Sequence, residues 1–580
     1  MSHKFVVIDE IMAQLESAKS GLIPSSVKQS IVSGIQNVPT AIKQPTVNGA
    51  SGSAYTTFPL SPIIDNCCID KTYINLEFDV SFHVKAEGVA LNDKIPFFIG
   101  FRDTASLFNQ IQFLIEGSVI WQTVYQREES VLAYNSLPET EIRGNNQYAS
   151  IDKLRNNTYC PMKRVVVKFG DDTEVANGKN VTIHFKVTVD INRLSPIFSN
   201  FHFTTPHMGN LRLKVYLQEF AKCMFFCPDY GYSAARSTKD VAKNPIITIF
   251  DPNMIQYWQF YSFNEYFGEE IGYSTIPFFA IDDDAGDPST KNPIKKVSKI
   301  TFNNPEGLDF MTFANGIAEI VQTNFAIKEE EYKRLNDYFA GLGSVIIPTN
   351  VWSTNVFNNS IITGHSIPGS MIGNVSGYNI DSISVWFHPT QSPCSFSKEF
   401  LKGTQLLLEG RPVNPIPYDN YGDKFVTDMT QALVDTDCEE INKDYMSSIT
   451  VFNFDGQHFY DDKDYVAPST RYGDGDKSIN CSYLANPNTF CFNFSTNLPD
   501  AFHSGACILE NTNKQSIIRF ISSDAQNIES ATFPVITNSK TSDSITAGFS
   551  CLCDACIVLS YDAARGTCFG GQLSWAAPYM

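Results

Sequence analysis

Cys551-Leu-Cys-Asp-Ala-Cys556 is the sharpest chemical signature in the chain. Thiolates this close can share a zinc ion, with Cys568 or Cys507 supplying the fourth ligand of a tetrahedral site. The same order also puts Cys551 and Cys553 on one face of a strand, where a thiol packs as a small hydrophobe. Packing is the reading adopted. Cys223-Met-Phe-Phe-Cys227 has the wrong spacing for a standard zinc site. Asp282-Asp-Asp-Ala-Gly-Asp287 has carboxylates for calcium but only part of the alternation that calcium loops use, so it reads as a solvated turn. His202 and His207 flank Phe203-Thr-Thr-Pro206 without a third ligand. Gly364-His-Ser-Ile-Pro-Gly369 lacks the spacing of a nucleophile elbow, and the chain has neither His-Glu-x-x-His nor a phosphate-cradling Gly-x-x-x-x-Gly-Lys. Carboxylate pairs abound in so acidic a chain, and counting them leaves glycosidase chemistry open. The expectation is a chain with no catalytic, cofactor-binding or metal-binding residues: not an enzyme, and with no cofactor.

The elements that would position these residues are strands. Phe108-Asn-Gln-Ile-Gln-Phe-Leu-Ile-Glu-Gly117 alternates with a period of two and ends in a glycine suited to a hairpin, after which Val119-Ile120-Trp121 resumes. A related stretch, Phe400-Leu-Lys-Gly-Thr-Gln-Leu-Leu-Leu-Glu-Gly410, places Gly410 on Gly117, 293 residues later. Tyr73–Phe82 likewise parallels Asn379–Phe387, and Phe185–Phe198 parallels Phe492–Phe502. The order is the same in both halves, which implies two copies of one β domain.

Further strands are expected at Tyr55–Pro59, Arg164–Lys168, Val181–Val189, Leu211–Leu217, Ile246–Phe250, Gln256–Phe263, Val297–Phe302 and Ile320–Ile327 in the first copy. The second has them at Val345–Pro348, Ile449–Phe454, Thr489–Phe494, Ser516–Ile521 and Ala555–Ser560. Lys328–Phe339 has the pattern of a helix that Gly341-Leu-Gly343 ends, and Glu128–Leu137 reads as a shorter one. Strand and helix do not alternate, so a parallel sheet is disfavoured and two packed antiparallel sheets per copy fit best. Residues 4–20 have a helical period, and residues 20–53, rich in Ser, Gly, Pro and Asn, read as a tether.

Composition sets the class. The 580 residues exceed what one core holds. At 43% hydrophobic and 18% charged residues the chain can bury large cores and is not disordered. Its net charge of −19, with no basic tail, argues against coating nucleic acid. Phe5–Ile8 is too short for the apolar part of a secretory signal and no run is long enough for a membrane span, so the 14 cysteines are expected as reduced thiols.

With these features the chain resembles the double jelly-roll major capsid proteins of double-stranded DNA viruses, nearest those of virophages and polinton-like viruses. The residues that carry the resemblance are Leu107-Phe-Asn-Gln-Ile-Gln-Phe-Leu-Ile-Glu-Gly117 and the corner Ile191-Asn-Arg-Leu-Ser-Pro-Ile-Phe198. The fold implied is all-β, with an N-terminal arm and tether over 1–53, a first jelly roll with insertions over 54–343, and a second over 344–580. The function implied is structural. Three chains form a pseudo-hexagonal homotrimer, and trimers tile an icosahedral shell in the virion alongside penton and minor capsid proteins. Asp282–Asn292 and Asp455–Cys481 would rise as outer towers. The arm would touch a membrane or a neighbour and join trimers together, so that its loss spares the trimer itself. The competing class is a carbohydrate-binding or carbohydrate-active β-sandwich that uses Trp121, Trp258, Trp352, Trp386 and Trp575 as sugar platforms.

Overall fold

The structure is a computed structural model that describes residues 35–41, 55–62, 66–101, 104–126, 128–129, 162–198, 201, 203–228, 261–273, 275–276, 278–281, 294–308, 310–325, 329–356, 362–363, 372–374, 377–389, 401–408, 410–412, 418–419, 450–455, 478–483, 489–493, 506–508, 517–522 and 544–575. The strands of the first half are β1 (Ile35–Ala41), β2 (Tyr55–Pro59), β3 (Asn66–Glu87), β4 (Lys94–Phe101), β5 (Phe108–Ile115), β6 (Ser118–Thr123), β7 (Met162–Lys168), β8 (Lys179–Asp190), β9 (Leu211–Leu217), β10 (Met224–Pro228), β11 (Lys299–Asn303) and β12 (Met311–Phe325). Helix α1 (Asp172–Asn177) lies between β7 and β8, and α2 (Glu329–Leu342) follows β12. The second half has β13 (Ser344–Val356), β14 (Ile372–Asn374), β15 (Gly377–Pro389), β16 (Leu401–Leu408), β17 (Arg411–Pro412), β18 (Thr489–Asn493), β19 (Ile517–Ser522), β20 (Ser544–Asp562) and β21 (Thr567–Trp575). Shorter strands extend the sheets.

The pairing is antiparallel throughout these strands and repeats between the halves. The first half has the orders β1-β12-β3-β8 and β2-β9-β5-β6, and the second has β13-β20-β15-β18 and β14-β19-β16-β17. All three sequence matches fall on equivalent strands: β5 on β16, β3 on β15, and β8 on β18. The hairpins agree residue for residue. Ile115 pairs with Ser118 around Gly117, and Leu408 pairs with Arg411 around Gly410. Gly117 and Gly410 sit at φ 86° and 80°, a region closed to most side chains, so glycine recurs there.

Alternation builds the cores. In β3, Ile74, Leu76, Phe78, Val80, Phe82 and Val84 are buried, and they face a sheet in which β4 lies between β7 and β10. Phe101 of β4 meets Phe78 and Phe185 edge-on at 5.8 and 5.1 Å, and Phe82 lies 6.4 Å from Phe97. Each such ring contributes roughly 1.5–3 kcal/mol by leaving water. Leu211, Leu213, Val215 and Leu217 do the same from β9.

The fold is all-β, two consecutive jelly-roll-type sandwiches. Four local readings change. Residues 35–41, expected within the tether, form β1 and pair with β12 from Ile35–Thr323 to Ala41–Ile317. β4 is a strand that the period-of-two reading passes over, because Ile95–Phe101 are buried on both faces and Pro96 breaks the pattern. Phe263, expected in a strand, opens a helical turn over Phe263–Tyr266. Helix α2 runs through Gly341, and Gly343, at φ 64°, ends it. Residues 4–20, 246–250, 282–292 and most of 455–481 lie outside the described residues.

Candidate functional site: the junction between the sandwiches

The buried side chains form one continuous cluster that runs from Phe58 through Val345 to Cys568. The two halves therefore share a core at their junction. The first half contributes β6, a helical turn at Gln126–Glu129, the Pro196–Phe198 turn and the Pro206–Gly209 turn. The second contributes β13, β20 and β21, with α2 alongside.

Sequence places these groups simply. Pro196, after the helical turn Ile191–Leu194, and Pro206, after the short strand Phe203–Thr204, each open a single helical turn, and these carry Ile197 and His207 to the junction. Thr349 of β13 donates its hydroxyl to the Ile197 carbonyl at 2.7 Å. His207 is buried, with Nδ1 3.1 Å from the Gly566 carbonyl, and its ring makes a triangle with those of Phe339 and Tyr561, at 6.2 and 6.3 Å. The Tyr561 hydroxyl in turn donates to the Asn336 carboxamide oxygen of α2. Gly209 has φ 74°, and a Cβ there would stand 2.3 Å from the Cys568 carbonyl oxygen. A Cβ on Gly571 of β21 would lie 3.3 Å from Cδ1 of Ile120 in β6.

The polar centre of the junction is Glu129. Its Oε1 accepts from Thr123 Oγ1 and from Thr354 Oγ1, each at 2.9 Å, one donor from each half. Thr354 gives its only proton there, so its oxygen accepts from Ser550 Oγ at 2.8 Å, and Ser550 accepts from Trp386 Nε1 at 3.0 Å. A chain of donors thus leads from the second core to one carboxyl oxygen. Burial pushes the Glu129 carboxyl up to about 8; the two hydroxyls pull it down less, and the adjacent Glu128 raises it further. The carboxyl is therefore neutral at pH 7 and its hydroxyl falls on Oε2, for which no acceptor exists among the described residues.

The residues that the sequence singles out behave otherwise. Cys551 and Cys553 lie buried on one face of β20, as the alternation predicts, and Cys556 and Cys568 are also buried. Burial raises the Cys551 thiol well above its usual range, Cys556 to about 11 and Cys568 to about 12. Neutral thiols are poor metal ligands, and no three His, Cys, Asp or Glu among the described residues are grouped to hold an ion. Trp121 and Trp386 are buried, 6% and 3% exposed, so neither is a platform for sugar. Trp352 is half-buried in β13. His202, Trp258, 282–287 and 364–369 fall outside the described residues, as do the side chains of Cys227, Cys507 and Trp575. Glu129 was missed because Gln-Arg-Glu-Glu-Ser reads locally as a solvated helix start; only the second half buries it.

In class, then, this is a tandem β-sandwich protein whose two copies are welded by a shared core. No family model matches the chain, and no curated protein does. Among solved structures it is similar to the mavirus major capsid protein, at 12% identity over 94% of this chain and 91% of that one, with a TM-score of 0.42. It is also similar to the Faustovirus major capsid protein, at 9% identity, 91% and 90% coverage and a TM-score of 0.39. A third likeness is to VP54 of PBCV-1 as fitted into a reconstruction of the virophage Sputnik, at 10% identity, 93% and 96% coverage and a TM-score of 0.40. At these scores the likenesses carry no argument about activity, and the fold stands on the chain's own strand pairing.

Proposed function

We propose that this chain is the major capsid protein of an icosahedral double-stranded DNA virus, forming pseudo-hexagonal homotrimers that tile the shell of the virion. The observation that carries the reading is the duplication: two sandwiches with the same strand orders, fixed to one another by a buried junction, so that one chain presents two similar corners of a tile. Three such chains present six, and closed rings are the usual result of head-to-tail contacts. The net charge of −19 fits a wall that leaves the genome to other components. The buried thiols and tryptophans supply no chemistry to a substrate, and the reading assigns no catalytic, metal or cofactor residues and no turnover. It takes 54–343 and 344–580 as the two rolls. Its partners are further copies of itself, then penton and minor capsid proteins.

Light scattering of the purified chain tests the reading. The particle should weigh three times the 64.7 kDa of one chain, and negative-stain images should show hexagonal tiles. A stable monomer at micromolar concentration would overturn the proposal.

A further inference from the structure

One histidine of the first half faces more oxygen than a neutral ring can use. His83 lies on the outer face of β3, opposite the core that Phe82 and Val84 enter, yet it is only 7% exposed. The end of α1 presses on it: a Cβ on Gly178 would stand 2.6 Å from Nε2. Nε2 lies 2.9 Å from the Asn177 carbonyl, in the last turn of α1, and Nδ1 lies 3.0 Å from Oδ1 of Asn180 at the start of β8. Glu306, in the turn between β11 and β12, fixes which way the Asn180 amide points. The Glu306 N–H donates to Oδ1 at 3.0 Å, and its carbonyl accepts from Nδ2 at 2.7 Å. Turning the amide over would set donor on donor and acceptor on acceptor. Both ring nitrogens therefore face oxygens that can only accept. A neutral imidazole has one N–H and one lone pair, so it satisfies one of these oxygens and repels the other; an imidazolium donates to both.

We propose that His83 is a proton-operated latch: with a second proton on its ring it ties the β7–α1–β8 connection to the turn at 304–308, and on releasing that proton it loosens both from the outer face of β3. The closed form gains a bond that only the charged ring makes, so it binds the proton more firmly than the open form and is favoured in acid. Histidine is the side chain whose charge changes between about pH 5 and 8, which sets the range in which the latch works. The carbonyls at the end of a helix also favour a cation. The charged groups around the ring are engaged elsewhere or face water. On β8, Lys179 bonds Glu174 of α1 at 3.1 Å and the Lys168 carbonyl at 2.6 Å. Asp171 accepts from the Glu174 N–H at 2.8 Å. Lys85 on β3, Asp172 on α1 and the Glu306 side chain are exposed. Across β3, the β11 residue opposite His83 is the neutral Asn303. The next titratable pair along this face, Asp79 and His184, is closed on itself at 2.7 Å. The two oxygens on the ring are thus both neutral acceptors, and its own second proton is what completes the contact.

Hydrogen–deuterium exchange of the full chain, read by mass spectrometry between about pH 5 and pH 8 and scaled to the unfolded chain at each pH, tests the latch. Peptides covering 172–180 and 304–308 should be protected in acid and should lose protection together, by roughly tenfold, as pH rises; that is the scale of one hydrogen bond to a charged group. His83→Gln has no charge to gain. In that variant the pH dependence of these two segments should vanish, while any that Glu129 gives to the junction persists. Segments that exchange alike at both ends of the range in the wild-type chain would overturn the proposal, and so would a pH dependence that survives in His83→Gln. Should the variant fail to fold, the wild-type chain decides: one common midpoint for the two segments supports the latch, and two separate midpoints overturn it.

Discussion

Replacing Glu129 with glutamine should change how stability depends on pH. The carboxyl titrates at about 8 in the folded chain against 4.5 when unperturbed, so the folded state holds a proton that the unfolded chain has released anywhere between those values. The sign follows: fewer protons are bound on unfolding, and stability falls as pH rises from about 4.5 to about 8 and is level outside that window. At about 1.36 kcal/mol per pH unit, the window from 4.5 to about 8 sets a ceiling of about 5 kcal/mol on the loss. The groups facing the carboxyl are Glu128 on its own turn, Thr123 from β6 and Thr354 from the second half, with Ser550 and Trp386 behind Thr354; of these only Glu128 carries a carboxyl. Glutamine keeps an oxygen for the two threonine hydroxyls; one of its N–H groups replaces the unpaired hydroxyl of the acid at Oε2, and the second is an added unpaired donor that costs about 1 kcal/mol. The wild-type chain should therefore be the more stable at pH 4.5 and the glutamine variant at pH 8.5, with the two curves crossing between. Urea unfolding at half-unit steps measures it. Parallel curves for the two proteins would refute the argument that the junction carries a buried neutral acid.

Two further pairs of substitutions probe the frame. Gly209→Ala sets a methyl 2.3 Å from the Cys568 carbonyl at a φ that side chains avoid, so it should cost roughly 2–4 kcal/mol in urea unfolding, whereas Gly410→Ala, with open space around its Cβ, should cost about 1 kcal/mol. Asp93 is fully buried and its Oδ1 lies 3.2 Å from Lys295 Nζ, which is one-third exposed. Lys295→Met strands that carboxylate and should cost about 3 kcal/mol, more than Asp93→Asn, which leaves a cation able to reach water.

Much of this protein is legible from residue order, because a strand's faces are set by a period of two and a tight turn by its glycine. Both are local. The hairpin at Gly117, its counterpart at Gly410, the alternation through Ile74–Val84 and the one-faced thiols of β20 needed nothing beyond neighbouring residues, and together they gave the duplicated all-β plan. What escaped was set by distant chain. β4 is buried on both faces because it lies inside a sheet, between β7 and β10, that is covered on either side, and no alternation can signal that. β1 looks like tether because its order comes from pairing with β12, at the far end of the first half. Glu129 carries the sequence of a solvated turn and becomes a buried neutral acid only when Thr354, 225 residues away, is packed against it. Burial of a charge depends on what covers it, and that covering belongs to the tertiary structure alone.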